Sequence, residues 1–312
     1  MDLSIVIVSW NTREITRACL SSVYEHLDGL EMEVFVVDNN SEDGSQEMIA
    51  EEFPQVRLIV NQDNRGFATA NNQAIREATG RHVLLLNSDT EILGDVLPAS
   101  VHYMDNHERV GVMGCRVLNP DRTMQPTCFM FPSMLNLALL TSGLSQVSRP
   151  RFFGRGQMND WRRDCVRDVE VVTGCYMLVR RKAMDDVGLL DESFFFCGEE
   201  TDWCRRFRAA GWVNRFAPVG EIVHIGNASG RKYSHKRDVM LTAGLVRYHR
   251  KHNGVPGAAI VWLMLFGFNL SRWIGWTLLR PVLRSEKASA RSVHFARVVR
   301  DFGQVWPRRT HA

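Results

Sequence analysis

The chain has 312 residues, 45% of them apolar and 23% charged, a globular composition long enough for about two domains and a sizeable core. Disorder is excluded by the apolar content, and collagen by the lack of a three-residue period among the 23 glycines. Seven cysteines, an odd number without a CxxC pair, exclude a disulfide framework and a zinc knuckle and fit a reducing cytosolic setting.

Ser4–Ser9 reads as a buried strand, too short and too acidic at Asp2 for a secretion signal, so a cytoplasmic protein is expected. A helix over Thr12–Tyr24, capped at Asn11 or Thr12, follows it. Then come a strand at Glu33–Val37, a turn-rich loop from Asp38 to Ser45 and a helix over Gln46–Glu52. Arg57–Val60 is a strand, Ala68–Ala78 a helix and His82–Leu86 another buried strand. Continuous apolar strands alternating with helices predict an α/β fold with a mostly parallel sheet covered on both faces. Ligands of such sheets lie outside the carboxyl ends of the strands, where polar clusters stand at Ser9–Thr12, Asp38–Ser45 and Asn87–Thr90. Residues 119–168 are rich in Pro and Arg and predict a loop-rich excursion. Regular structure resumes at Val169–Val179, with helices over Lys182–Val187 and Glu200–Ala210.

The charge is unevenly placed. Residues 1–230 hold 22 Lys and Arg against 32 Asp and Glu, while residues 231–312 hold 16 against 3. A basic tail on an acidic body points to an anionic partner. The tail is greasy from Ala258 to Phe268 and carries Trp262, Trp273 and Trp276, which favours a membrane surface through residues 258–300 over nucleic acid. On a helical projection Asn269, Arg272, Trp273, Trp276, Arg280 and Arg284 share one side, and Leu263, Leu270, Ile274, Leu278 and Val282 the other. That pattern predicts an amphipathic helix lying in the membrane plane, peripheral on the inner face of the cell membrane.

Asp38, at a strand end, is placed to accept from a nucleobase N–H or a ribose hydroxyl, and equally to form an Asx turn. Neither GxGxxG nor GxxxxGK[ST] is present, which removes the dinucleotide oxidoreductase and P-loop readings. Asp89 in Asn87-Ser88-Asp89 suits Mg²⁺ held by one carboxylate plus substrate phosphates, or simply caps a turn. Glu199, Glu200 and Asp202 open a helix behind an aromatic run, where one carboxylate can serve as a general base. His224 ends a strand before the loop Gly226–Gly230, which is open enough to approach a phosphate.

In this order, SIVIVSWNT, VVDNNSEDGS, NRGFATANNQAI, LLLNSDTEI, TGCYMLVRR, GLLDESFFFCGEETDWCRRFRAAGW and VHIGNAS resemble the family 2 inverting glycosyltransferases of the GT-A fold, rhamnosyltransferase-like in detail. The resemblance covers residues 1 to about 230, a catalytic domain whose nucleotide-sugar half ends near residue 118, and leaves 231–312 as the basic helical tail. It implies that Val8, Trp10 and Asn11 cradle the nucleobase, with Asp38 on base or ribose and Arg65 and Ser88 near the nucleotide. It makes Asp89 the last residue of a DxD motif whose first position here is Asn87. Asp89 and His224 would then hold Mg²⁺ or Mn²⁺ with the donor diphosphate. Glu200 matches the second acid of a Glu-Asp pair and is the expected base, with Glu199 as the competing choice. Gly174, Asp202 and Trp203 are implied as further substrate-binding positions. Processive members carry QxxRW, whereas this chain has Cys204-Arg205-Arg206-Phe207-Arg208, so a single addition is expected.

The implied reaction moves a sugar, rhamnose among the candidates, from a nucleoside-diphosphate sugar to a lipid-linked or cell-surface glycan acceptor. Two alternatives compete with it. A nucleotidyltransferase needs a basic Gly-rich phosphate loop that Ser9–Leu20 lacks. A tethered nucleotide-sugar binding protein without catalysis would not need Asp89, Glu199, Glu200 and His224 together.

Overall fold

In the computed structural model, which describes residues 1–26, 29–146, 152–226 and 235–306, the chain forms two compact units. The first comprises Met1–Phe131, Gln157–Phe195 and Glu199–Ser229; the second comprises Pro132–Gly156, Phe196–Gly198 and Gly230–Ala312, so far as these are described.

In the first unit β1 (Leu3–Ser9), β2 (Met32–Asp38), β3 (Arg57–Val60) and β4 (His82–Asn87) lie parallel in the order β3-β2-β1-β4. They are joined by α1 (Arg13–Glu25), α2 (Ser45–Glu52) and α3 (Gly66–Glu77), close to the boundaries that hydropathy predicts. Successive strand residues point to opposite faces. Ile5, Ile7, Val34, Val36, Leu84 and Leu86 accordingly join one core, and Val6, Phe35, Val37, Val83 and Leu85 the other.

Beyond β4 the chain adds β5 (Thr90–Leu93), α4 (Val96–Asp105), β6 (Val110–Leu118) and the short β7 (Cys128–Phe129). The stretch 119–168 is thus more ordered than its composition predicts, with α5 (Met134–Thr141) in the second unit and β8 (Arg167–Asp168) in the first. There follow β9 (Val171–Val172), β10 (Tyr176–Arg180), α6 (Arg181–Val187), α7 (Glu199–Ala209) and β11 (Val213–His224). The sheet runs β3-β2-β1-β4-β10-β6-β11-β5, with β8 on β11. β10 is antiparallel to both of its neighbours, so its first residues meet the last residues of β4.

The second unit is helical, built on α8 (His235–Leu283) and α9 (Glu286–Asp301). Gly254, at φ 69°, breaks α8 into 235–253 and 255–283, and Pro256 restarts it, the glycine-stop and proline-start pattern of two abutting helices. Its core gathers Leu137, Val246, Ala258, Val261, Leu265, Val298 and Phe302, with Trp262 and Phe266 stacked beside Phe302. Among the described residues, α8 alone is long and apolar enough to cross a membrane.

Candidate active site

The site lies within the first unit, and a line of hydrogen bonds connects its parts. Asp38 is fully buried at the end of β2, in register with Ser9 of β1. Its Oδ1 accepts from the Ser41 N–H and from Gln46 Nε2, both at 2.8 Å, while its Oδ2 is buried with no hydrogen-bond partner among the described residues. A buried carboxylate oxygen left unmatched is costly, and a nucleoside N–H or O–H would satisfy it. Next to it, the Asn39 N–H donates to the Ser9 carbonyl at 2.9 Å. Ser9 Oγ contacts Thr12 Oγ1 at 3.2 Å, and Thr12 Oγ1 contacts Ser88 Oγ at 3.4 Å.

Asn11 works on the neighbouring loop: its N–H donates to Ser41 Oγ and its Oδ1 accepts from the Glu42 N–H, both at 2.8 Å. Its φ of 52° is left-handed, which asparagine tolerates better than most residues. Val8 is half-buried one residue before this end of β1. Trp10, just past β1, and Arg65, just before α3, are exposed, with Arg65 paired to Asp63 at 3.1 Å.

Past Ser88 comes Asp89, whose partner is supplied by strand pairing. β11 runs antiparallel to β5 with His224 opposite Thr90, so the ring reaches back to Asp89. His224 Nε2 lies 3.1 Å from Asp89 Oδ1 and 3.2 Å from Asn87 Nδ2. On the other side of the ring Nδ1 meets Gln125 Oε1 at 2.6 Å, and Gln125 Nε2 donates to Asn119 Oδ1 at 2.8 Å. With Gln125 so oriented, Nδ1 carries the proton and Nε2 presents a lone pair, which accepts from Asn87 and faces Asp89. Two electron-rich atoms at 3.1 Å require a positive charge, from a proton on Nε2 or from a divalent cation. An octahedral ion with bonds of about 2.1 Å holds cis ligands about 3.0 Å apart, so the pair fits Mg²⁺ or Mn²⁺. No group of three His, Cys, Asp or Glu side chains is placed for a metal among the described residues. The remaining positions of such an ion would have to come from phosphate oxygens and water, as is usual for Mg²⁺.

The line ends on α7. The Asn87 N–H donates to the Cys175 carbonyl at 3.2 Å, and the Gly174 N–H donates to Glu200 Oε1 at 3.3 Å. A Cβ at residue 174 would lie 3.0 Å from the Phe67 ring and 3.3 Å from Glu200 Oε1, so glycine is what fits between them. Glu200 is half-buried, whereas Glu199 is 2% exposed, which separates two carboxylates that the sequence could not. Burial pushes the nearby thiols up, Cys175 to about 11 and Cys204 to about 12, so neither is a thiolate nucleophile.

Two expected substrate-binding residues have partners inside the protein. Trp203 is fully buried with its indole N–H on the Gly188 carbonyl at 2.8 Å, and Asp202 is fully buried with Arg206 Nε at 2.9 Å. Both contacts fasten α7 to the rest of the unit. Of the loop after His224, Asn227–Gly230 lie outside the described residues. Gln125, which sets the His224 tautomer, was not foreseen: it sits in the patternless stretch after β6, where nothing in the sequence marks it.

Residues 4–188 match the model of glycosyl transferase family 2. The chain is 27% identical over 206 residues to the N-acetylglucosaminyl-diphospho-decaprenol L-rhamnosyltransferase of Mycobacterium tuberculosis; the match covers 61% of this chain and 66% of that protein, just under two thirds of its length. Among solved structures it resembles a mannosyltransferase of Pyrobaculum calidifontis in complex with GDP-Man and Mn²⁺, with a TM-score of 0.53, 16% identity and coverage of 95% of this chain and 84% of that one. It also resembles GalNAc-T7 with UDP, GalNAc and Mn²⁺, with a TM-score of 0.54, 14% identity and coverage of 81% and 50%. These two likenesses establish the GT-A fold. The family match spans more than half of the chain, which therefore belongs to glycosyl transferase family 2.

Proposed function

We propose that the protein is an inverting glycosyltransferase that adds one sugar, rhamnose being the leading candidate, from a nucleoside-diphosphate sugar to a hydroxyl of a lipid-linked or cell-surface glycan. The observation that carries this reading is the line from the unmatched oxygen of Asp38, through the Asp89–His224 pair, to Glu200. The similarity to a rhamnosyltransferase acting on a diphospho-decaprenol substrate supports the choice of sugar and acceptor class.

Asp38 would hold the nucleoside, with Trp10 and Arg65 beside it. Asp89 and His224 would hold Mg²⁺ or Mn²⁺ against the donor diphosphate, and a cation there would offset the negative charge that the diphosphate gains on departure. Glu200 Oε2 would take the proton of the acceptor hydroxyl while Oε1 stays on the Gly174 N–H. As the acceptor oxygen bonds to the anomeric carbon, the bond from that carbon to the phosphate oxygen breaks on the opposite face, and the configuration inverts. The apolar outward face of α8 and the basic charge of residues 231–312 would seat the protein on the cytoplasmic face of the membrane, within reach of a lipid-borne acceptor.

The test is a panel of nucleotide sugars with Mg²⁺ or Mn²⁺, reading thermal protection and release of nucleoside diphosphate. A nucleoside-diphosphate sugar that protects the protein and is turned over only with a glycan acceptor supports the reading. Pyrophosphate release from a nucleoside triphosphate would replace it with nucleotidyl transfer, and protection without any turnover with a binding protein.

A further inference from the structure

We infer that Gln125 is a positioning residue for His224 as a metal ligand, and that its own direction is set by a hydrogen-bonded relay beginning at Asp121; the inference rests on the reading of Asp89 and His224 as the cation pair. Every residue of the relay belongs to the first unit.

The backbone around the pair is already fixed. His224 stands opposite Thr90 in the β11–β5 ladder, and the Ile225 N–H donates to the Asp89 carbonyl at 2.9 Å. What the strand pairing leaves open is the imidazole itself. Turning the ring over would bring a carbon opposite Asp89, and moving its proton would close the lone pair on Nε2. Gln125 acts on both. Its Oε1 lies 2.6 Å from His224 Nδ1, and its Nε2 reaches the carbonyl of the same histidine at 3.4 Å. The Gln125 N–H donates to the Val117 carbonyl at 2.9 Å, so this clamp is mounted on β6, the parallel neighbour of β11.

An amide can meet a ring nitrogen as acceptor or as donor, so its direction decides the chemistry. Two groups that can only accept fix that direction here. One is the His224 carbonyl, which faces the Nε2 end of Gln125. The other is the Asp121 carboxylate, in the turn between β6 and β7. It accepts from the Thr123 hydroxyl and, at 3.0 Å, from the Thr123 N–H, and these bonds hold its carboxyl below the usual carboxylate range. With its proton so committed, Thr123 Oγ1 accepts from Asn119 Nδ2 at 2.9 Å. Asn119 Oδ1 then accepts from Gln125 Nε2 at 2.8 Å. The last step leaves Gln125 its carbonyl oxygen for the ring. Nδ1 therefore carries the proton, and the lone pair of Nε2 is directed at Asn87 and Asp89. Metal-bound histidines commonly donate their second nitrogen to such an acceptor, whose loss costs about 10- to 100-fold in metal affinity.

The test titrates Mn²⁺ into the full chain with inorganic diphosphate present, by calorimetry, and compares Gln125→Met with Gln125→Glu. Methionine keeps the length of the side chain but offers the ring no oxygen; glutamate keeps the oxygen but loses the donor to Asn119. Mn²⁺ affinity should fall about 10- to 100-fold in Gln125→Met. It should stay at wild-type strength or rise in Gln125→Glu, because a carboxylate on Nδ1 raises the basicity of Nε2. In the metal-free wild type at alkaline pH, nitrogen NMR should find the His224 proton on Nδ1, and in Gln125→Met a share of it on Nε2. Equal losses of affinity in the two variants would overturn the inference, since Gln125 would then only brace the turn. So would unchanged affinity in Gln125→Met, or a wild-type proton on Nε2. If the wild type binds no Mn²⁺, the reading of the cation pair fails, yet the ring-nitrogen spectrum still decides whether Gln125 directs the imidazole.

Discussion

His224 Nε2 faces Asp89 Oδ1 at 3.1 Å because the antiparallel pairing of β11 with β5 returns the end of one strand to the start of the other. Gln125 Oε1 on Nδ1 leaves Nε2 turned towards Asn87 and Asp89. Asp89→Asn and His224→Ala should each weaken nucleoside-diphosphate binding by about tenfold or more in Mn²⁺, as expected when a charged contact is removed. Both should match the wild type in EDTA, a difference that calorimetry can measure. Full turnover of the wild type in EDTA would exclude a metal-dependent mechanism.

Glu200→Gln should lower turnover by roughly 10²- to 10⁴-fold, the usual contribution of a general base. Donor affinity should persist, because the amide is nearly isosteric and Oε1 can still accept from Gly174. Glu199 is buried, so Glu199→Gln should act mainly on stability. Steady-state kinetics alongside thermal melting separates the two. The reverse pattern, with Glu199→Gln inactive and Glu200→Gln normal, would exchange their roles.

Asp38→Asn keeps the size of the side chain but changes a carboxylate whose Oδ2 has no hydrogen-bond partner among the described residues. A hydrogen bond to a charged group contributes about 1.5–3 kcal/mol. The Kd for the free nucleoside diphosphate should therefore rise by about 10- to 100-fold, with or without metal. Equal loss of affinity for inorganic diphosphate would instead place Asp38 on the phosphates.

An acid-stability effect is expected far from the crevice, where β4 begins. Arg81 donates to Asp105 at 2.8 Å and holds its carboxyl down to about 2 against the opposing effect of burial, helped by His82 at 2.8 Å. Unfolded, the group titrates near 3.9. The folded value is the lower one, so its stabilisation is complete above about pH 4 and is lost as pH falls towards 2. Asp105 is 36% exposed, which limits the effect to about 1 kcal/mol. Asp105→Asn should lower Tm by about 2–4 °C at pH 7, and the gap should close by pH 2. Turnover should be unaffected.

The parallel half of the sheet was legible because each strand is a short apolar run bounded by turn residues, and Ser9, Asp38 and Asn87 fall at the ends of such runs. What periodicity does not carry is pairing between distant segments. The approach of His224 to Asp89 depends on the β11–β5 register, and the Gly174–Glu200 contact on β10 entering antiparallel beside β4. Trp203 and Asp202 show what a motif does not carry, the partners that a side chain finds inside the fold. The resemblance marks both beside Glu200, yet the indole N–H is used on Gly188 and the carboxylate on Arg206. In the tail, Asn269 reads as part of an outward polar side, but it is buried with its Nδ2 on the Leu265 carbonyl at 2.8 Å. Its own helix supplies the partner that water would have provided.

The tail makes the last prediction. Ala258, Val261, Leu265 and Asn269 face inward on α8, and Leu263, Ile274, Leu278 and Val282 face outward at 62, 48, 69 and 76% exposure. An outward aliphatic stripe of this kind has a cost in water that insertion to the level of the acyl chains relieves. Arg280 and Arg284, exposed at the end of the stripe, match the headgroups of anionic lipid, at on the order of 1 kcal/mol per basic residue near the surface. Crossing is disfavoured by Arg272, midway along the apolar stretch, since Arg at a bilayer centre costs at least about 2.5 kcal/mol. The full chain should therefore float with vesicles containing anionic lipid, bind them less as salt rises, and bind purely zwitterionic vesicles weakly. Leu278→Glu with Val282→Glu should leave it in the supernatant with its melting temperature intact, because both side chains are exposed. Turnover of a water-soluble acceptor should survive in that double variant, while turnover of a vesicle-borne acceptor falls. Flotation of the double variant equal to that of the wild type would refute the in-plane arrangement, and protease protection of the C-terminus across the bilayer would show that α8 spans it.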